Sequence, residues 1–329
     1  MRLVFMGTPA FAVPSLEKLA ATGHALPLVI TRPDRPRRHG ASKPEATPVK
    51  QCAQAFGLDV AEPESLRDPG VLERLAALRP DLLVVVAFGQ ILPESVLALP
   101  PRGAVNVHAS LLPRWRGAAP IARAILAGDT VTGVSTMQME RGLDTGPILL
   151  ERRCDIGPDE TAGELTARLA GLGADLLIET LEGIERGTVS PERQDDARAT
   201  WAPPLRREDG RIDWNQEASA IAARVRGCLP WPVAEAGLRD GRVQILAAAP
   251  LPGASAAALI GQFAAPVAGS APPEPGTVLE TGETLVVACG GGTRLGVRSL
   301  RVPGRRAVTA REAVNGRLIA SGDRLTAPA

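Results

Sequence analysis

Four near-continuous apolar runs, Leu3 to Met6, Leu26 to Ile30, Leu82 to Ala87 and Ala104 to Val107, alternate with stretches whose apolar residues recur at helical intervals. Strands buried on both faces have this uninterrupted character, because neither face meets water. The intervening segments Ala10 to Ala21, Thr47 to Phe56 and Val71 to Leu78 carry the helical spacing, so the order is that of a doubly wound, Rossmann-like α/β domain. A helix from Thr161 to about Gly187, opened by Asp159 or Thr161 near Glu164, completes this domain over residues 1–189. Across 190–208 the sequence turns polar, charged and proline-marked and the hydrophobic periodicity stops, which reads as a linker. Residues 209–329 follow a different rule. One short helix, Ala218 to Arg226, precedes strand-like pieces at Val233 to Leu238, Val243 to Ala248, Gly276 to Leu279, Thr284 to Ala288 and Leu295 to Leu300, with Gly-rich turns between them. Five such pieces predict a small OB-like β-barrel, and Pro250 to Pro275, rich in Ala, Pro, Gly and Leu, reads as a long loop within it.

Charge narrows the choice of partner only in its distribution. The net charge is +1, which excludes a wholesale polyanion binder. From Thr200 onward, however, there are 15 Arg, no Lys and 11 acidic residues, a net of +4, against a net of −3 in residues 1–199. A rear half of this kind could meet a phosphate backbone, although charge alone favours ordinary surface scatter. Cys52, Cys154, Cys228 and Cys289 are dispersed and form no CxxC pair, so neither a disulfide framework nor a zinc site is expected. The opening apolar run meets Gly7-Thr8-Pro9 too early for a signal peptide, and no run approaches membrane-spanning length, so the expectation is a cytoplasmic protein without membrane contact.

In an open α/β sheet ligands bind outside the carboxyl ends of the strands, and the run Ala104 to Val107 delivers Asn106 and His108 at such an end. Two residues apart on an extended chain, they share a face. An amide and an imidazole side by side can both donate to one oxygen, which a developing oxyanion in acyl transfer requires. A carboxylate could then keep the imidazole protonated or take a proton from an attacking amine, and Asp144, in Gly142-Leu143-Asp144-Thr145-Gly146, sits on a Gly-flanked loop suited to that. Each also suits a structural role: a satisfied histidine, a loop-capping amide, a turn aspartate. Gly7-Thr8-Pro9 lacks the GxGxxG pattern, which sets a nicotinamide cofactor aside.

The stretch Asn106-Val107-His108-Ala109-Ser110-Leu111-Leu112-Pro113-Arg114-Trp115-Arg116-Gly117-Ala118-Ala119-Pro120, followed by Met137-Gln138-Met139 and the Asp144 loop, closely resembles the methionyl-tRNA formyltransferase family. Phe5-Met6-Gly7-Thr8-Pro9, Pro33-Asp34-Arg35-Pro36, Ile212-Asp213-Trp214 and Pro230-Trp231-Pro232 support the resemblance in order along the chain, with looser agreement in 245–275. The resemblance implies a formyltransferase domain followed by a tRNA-binding OB-like domain. It implies Asn106, His108 and Asp144 as the catalytic triad, Ser110, Leu111, Leu112 and Pro113 as a folate-binding segment, and Phe88 and Gly89 in a loop near the pterin. It further implies 10-formyltetrahydrofolate as donor and methionyl initiator tRNA as acceptor, in a scheme that requires no metal; a monomer is the separate expectation.

Arg32 to Lys50 holds six basic residues and His39 against two acidic ones. The resemblance implies that this insertion contacts the tRNA acceptor end, with Arg35, Arg37, Arg38 and Lys43 as candidates, whereas from residue types alone it is equally a solvated loop. Arg114 and Arg116 flank Trp115, an arrangement that fits stacking on a terminal base or anchoring of the loop. Against the family pattern, Ala109 replaces a usual glycine, Phe88 stands at a usual tyrosine place, the stretch after Pro36 is poor in lysine, and Pro203-Pro204 lies where charge is customary. A formyltransferase for a small amine, such as glycinamide ribonucleotide or an amino sugar nucleotide, shares the Asn, His and Asp constellation. The basic segment and the Arg-rich second domain favour a macromolecular acceptor over it.

Overall fold

The computed structural model describes residues 1–34, 45–252 and 272–328. Its first sheet contains β1 (Arg2–Gly7), β2 (Ala25–Ile30), β3 (Val60–Ala61), β4 (Leu82–Val86) and β5 (Ala104–His108). After the two-residue β6 (Arg116–Gly117) come two further members, β7 (Val131–Gln138) and β8 (Ile148–Asp155). The order is β3-β2-β1-β4-β5-β7-β8, parallel up to β5 and antiparallel beyond it. The expected strands are therefore present within a residue or two of their predicted ends. The pair β7 and β8 is added to them: β8 alternates half-buried and exposed positions and so carries no continuous apolar run.

Helices α1 (Val13–Ala20), α2 (Pro48–Ala55) and α3 (Pro69–Leu78) occupy the expected crossovers. Proline near the first turn and a side-chain N-cap from Thr47 or Asp68 start α2 and α3, satisfying N–H groups that have no partner within the helix. Short α4 (Glu94–Leu97) and α5 (Pro120–Leu126) precede the 25-residue α6 (Ala162–Arg186). Thr161 and Glu164 form the predicted cap at its start, each side chain bonding the other's backbone N–H.

Two apolar layers sandwich the sheet. Leu3, Phe5, Val84, Val105 and Val107 face one layer, completed by Leu16, Leu19, Leu177 and Leu181. Val4, Met6, Leu83, Val85 and Ala104 face the other, with Leu75, Phe88 and Val96. Strand β5 thus turns Val105 and Val107 toward α6 and leaves Asn106 and His108 for the opposite face. Gly173 allows this approach, since a Cβ there would lie 2.8 Å from Val107 Cγ1.

The chain divides into two compact units. The first comprises Met1–Pro120, Val131–Asp155 and Leu165–Pro203, and the second comprises Ile121–Thr130, Ile156–Glu164 and Pro204–Ala329. Residues 190–203, within the segment read as a linker, belong to the first unit: Glu192 bridges to Ile148, and β9 (Trp201–Ala202) pairs with β6. In the second unit α7 (Ala218–Gly227) precedes β10 (Ala234–Leu238), β11 (Gly241–Pro250), β12 (Val278–Glu280), β13 (Leu285–Ala288) and β14 (Arg294–Arg301). Short β15 (Val308–Thr309), α8 (Ala310–Asn315) and β16 (Leu325–Thr326) follow. The antiparallel order β12-β13-β14-β11-β10-β16 is closed by the Thr277–Arg324 bridge and by Leu325 N–H on Gly276 O at 2.8 Å, so the curled sheet has the expected OB-like form. Ile212, Trp214, Ile221, Val243, Val297 and Leu300 fill its core. Of the predicted long loop, 253–271 lie outside the described residues.

Gly173→Leu drives a side chain into the β5–α6 contact and is expected to cost about 1–3 kcal/mol of stability, as overpacking of a dense core does. Urea unfolding of wild type and variant measures it; an unchanged midpoint would show that α6 does not press on β5.

Candidate active site

Strand β5 ends where the chain must leave the sheet, and its last residues carry the chemistry. His108 is buried at 6% exposure and Asn106 at 9%. The His108 ring makes two polar approaches: Nε2 lies 2.9 Å from the carbonyl oxygen of Trp115, and Nδ1 lies 3.6 Å from Asp144 Oδ2. A carbonyl only accepts, so the Nε2 contact places the ring hydrogen of the neutral tautomer there and leaves Nδ1 facing the carboxylate. In the cationic form Nδ1–H becomes a donor next to Asp144.

Asp144 stands at φ +55, a left-handed conformation that aspartate tolerates better than most residues. Its Oδ2 accepts from the backbone N–H of Gly117 at 2.8 Å. Glycine is required at 117: φ is +121, and a Cβ would meet Ala202 O at 2.8 Å. Gly146 fixes the far side of the loop, where a Cβ would overlap the carbonyl of Gln138. The structure therefore brings His108 and Asp144 together, with Asn106 on the same face of β5. Among the described residues the Asn106 amide has no hydrogen-bond partner, so its donors are unspent.

The segment after His108 is internally tied. Ser110 is fully buried and donates to Arg114 O at 2.6 Å, while Leu112 N–H bonds Ser135 Oγ at 3.1 Å. Ser110 Oγ and the Leu112 N–H are thus spent on shaping the turn, while Leu111 and Pro113 are half-buried. Phe88 is 2% exposed, its ring in the apolar layer with Met6 and Leu92. Its carbonyl accepts from Thr8 Oγ1 at 2.9 Å, and the Gly89 carbonyl accepts from Arg32 Nη1 at 2.7 Å. This stitching lies where the chain order reverses between β1 and β4, the crevice at which open sheets bind ligands.

Arg114 is exposed, and its guanidinium lies over the Trp115 ring, 4.5 Å from the centroid. Arg116 differs from its expected role. At 3% exposure it is turned inward, paired with Asp196 at 2.8 Å and with Gln194, so its guanidinium does not face an outside phosphate. Burying such a charge is tolerable only with partners that satisfy its N–H groups, and the polar stretch after α6 supplies them. Arg35, Arg37, Arg38 and Lys43 lie outside the described residues. Lys50, at the far end of the Arg32 to Lys50 segment, bonds Asp34 at 2.6 Å and Glu62 at 2.7 Å, and its ammonium holds the Asp34 carboxyl below the usual carboxylate range. No residue pattern advertised the Trp115 carbonyl or the Gly117 N–H, because main-chain groups carry no residue-type signal. Ile91 and Leu143, which the sequence reading did not single out, are exposed at 86% and 57%.

Fold and site together define a formyl transferase. The model of the formyl transferase family matches residues 1–181, and that of the formyl transferase C-terminal domain matches 204–318. The methionyl-tRNA formyltransferase of Solibacter usitatus is 48% identical over 325 residues, covering 99% of this chain and 98% of that protein. That of Methylococcus capsulatus is 46% identical over 325 residues, covering 99% of each. The chain belongs to the methionyl-tRNA formyltransferase family. Among solved structures, an N-formyltransferase of Helicobacter canadensis in complex with folinic acid and dTDP-3-aminofucose superposes with a TM-score of 0.65 at 16% identity, covering 90% of this chain and 98% of that one. A sugar 3N-formyl transferase, WlaRD, superposes at 0.64 and 14% identity, covering 93% and 99%. At these identities the likeness is one of fold. Among the described residues no helix is long and apolar enough to cross a membrane.

Gly146→Ala forces the Asp144 loop away from Gln138 and is expected to lower turnover at least about tenfold, since a catalytic group displaced by an ångström loses that much or more. Steady-state kinetics test it; wild-type turnover in this variant would show that the loop's position does not matter.

Proposed function

We propose that this protein transfers the formyl group of 10-formyltetrahydrofolate to the α-amino group of methionyl initiator tRNA, in the cytoplasm where charged initiator tRNA is used. The observation that carries the reading is the unspent Asn106 amide beside a histidine whose Nδ1 faces Asp144 at 3.6 Å. The amine nitrogen attacks the formyl carbon, and its carbonyl oxygen becomes an oxyanion. Asn106 and Nδ1–H of cationic His108 donate to that oxygen. Asp144 offsets the imidazolium charge, and its Oδ1, left over from the Gly117 contact, takes the amine proton directly or through a water. The bond from the formyl carbon to N10 of the folate then breaks, N10 gains a proton, and an N-formyl amide remains. Each oxyanion donor of this kind contributes about 3–4 kcal/mol to the transition state.

The pterin is assigned to the crevice by the Phe88 to Leu92 loop and the Asp144 loop, contacted by main-chain groups of Phe88 and Gly89 and by Leu111 and Pro113, with Ser110 and Leu112 shaping the turn. The tRNA acceptor end is assigned to the basic residues Arg35, Arg37, Arg38 and Lys43, with Arg114 beside them in role and the Arg-rich second unit available to the phosphate backbone. Support for a tRNA acceptor over a small amine comes from the names of relatives at 46–48% identity over nearly the whole chain, against 14–16% for the sugar formyltransferases.

Asn106→Ala is expected to lower turnover about a hundredfold or more with tRNA affinity nearly unchanged, the signature of a contact made only in the transition state. Equal losses in both would assign Asn106 to binding or folding. Arg38→Ala is expected to give the reverse, weaker tRNA binding with a salt slope reduced by about one. An unchanged slope would remove the basic segment from the interface. In a competition between Met-charged initiator tRNA and glycinamide ribonucleotide, faster formylation of the small amine would overturn the acceptor assignment.

A further inference from the structure

Gln194 lies in the polar stretch after α6, and its side-chain amide is used completely. Its Oε1 accepts two hydrogen bonds from the buried Arg116, from Nε at 3.0 Å and from Nη2 at 2.8 Å. Its Nε2 donates to the main-chain carbonyls of Asp144 and Gly146, at 2.9 and 2.6 Å. Two donors meet two carbonyls and the acceptor meets a guanidinium, so the amide has one satisfiable orientation; turned over, it would set oxygen against oxygen and N–H against N–H.

The target of this clamp is the loop that carries Asp144. Asp144 sits at φ +55, a conformation that persists in a non-glycine residue only where surrounding contacts over-determine it. The two carbonyls that Gln194 gathers are Asp144's own and that of Gly146, and holding them holds the backbone from which the carboxylate leaves the chain. The same stretch also grips the histidine side. Trp115 N–H donates to Thr200 Oγ1 at 2.8 Å and Arg116 N–H to Thr200 O at 2.9 Å, and it is the Trp115 carbonyl that holds His108 Nε2. Residues 194 to 200 thus hold the aspartate loop at one end and the histidine's backbone partner at the other.

We propose that Gln194, anchored by Arg116, is a positioning residue that sets the aim of the Asp144 carboxylate at His108. This rests on the formyl-transfer reading above. The alternative is that Gln194 only neutralises the burial of Arg116, and glutamate separates the two. Gln194→Glu keeps an acceptor, now charged, for the guanidinium, but offers no hydrogen to the carbonyls of Asp144 and Gly146. The proposal expects Gln194→Glu and Gln194→Leu each to lower kcat about tenfold or more with KM for folate and tRNA within about twofold, and expects Gln194→Leu to cost nothing further in an Asp144→Ala background, because it acts through that residue. Gln194→Glu turning over at the wild-type rate, or Gln194→Leu costing the same factor in both backgrounds, overturns it. Gln194→Glu retains an acceptor for the Arg116 guanidinium, whose ion pair with Asp196 both variants keep, and so keeps the comparison intact if the leucine variant is poorly folded. Wild-type turnover in the same assay tests the functional reading by itself.

Discussion

A histidine buried at a strand end must spend its ring N–H on an acceptor, and the acceptor it finds decides which nitrogen is left for chemistry. In this protein the Trp115 carbonyl holds Nε2 and hands Nδ1 to the side where Asp144 stands. Much of the first unit serves that arrangement. Val105 and Val107 commit one face of β5 to the core, which leaves Asn106 and His108 no choice of side. The turn after His108 must bring the Trp115 carbonyl back onto the ring, and the buried bonds of Ser110 and Leu112 shape that return. The loop carrying Asp144 joins β7 to β8, the two antiparallel strands that extend the parallel sheet on this side.

The electrostatics follow from the same geometry. A carboxylate beside an imidazole gives the ring's cationic form a partner, and the Gly117 N–H keeps that carboxylate from turning away. Asn106 supplies a neutral donor with no internal partner among the described residues, which leaves it available to a ligand. An unsatisfied donor, a switchable ring and an anchored acid on one strand end suit the stabilisation of charge on a single carbonyl oxygen.

Most of the sheet was legible in the sequence because buried parallel strands write themselves as apolar runs, and α6 because Thr161 and Glu164 cap it openly. Strand β8 was hidden by its half-exposed alternation, and α8 was missed although Thr309 and Glu312 form the same kind of cap. The identities of Asn106, His108 and Asp144 were visible through their spacing and family resemblance; what holds them was not. The Trp115 carbonyl and the Gly117 amide belong to the main chain, and Gln194 lay in a stretch whose loss of periodicity read as a linker. Arg116 shows the opposite error: a cation beside a tryptophan looks like a surface contact, and only the partners Gln194 and Asp196, some eighty positions away, explain its burial.

The account centres on one claim, that the side chains at 106, 108 and 144 surround one reacting carbonyl. A crystal structure with a non-reactive formyl-folate analogue tests it most directly. The account predicts the formyl oxygen within about 3 Å of both the Asn106 amide nitrogen and His108 Nδ1, hydrogen-bond distance for such donors. A formyl group seated out of reach of both, with Asn106 bonded instead to the protein's own backbone, would contradict it.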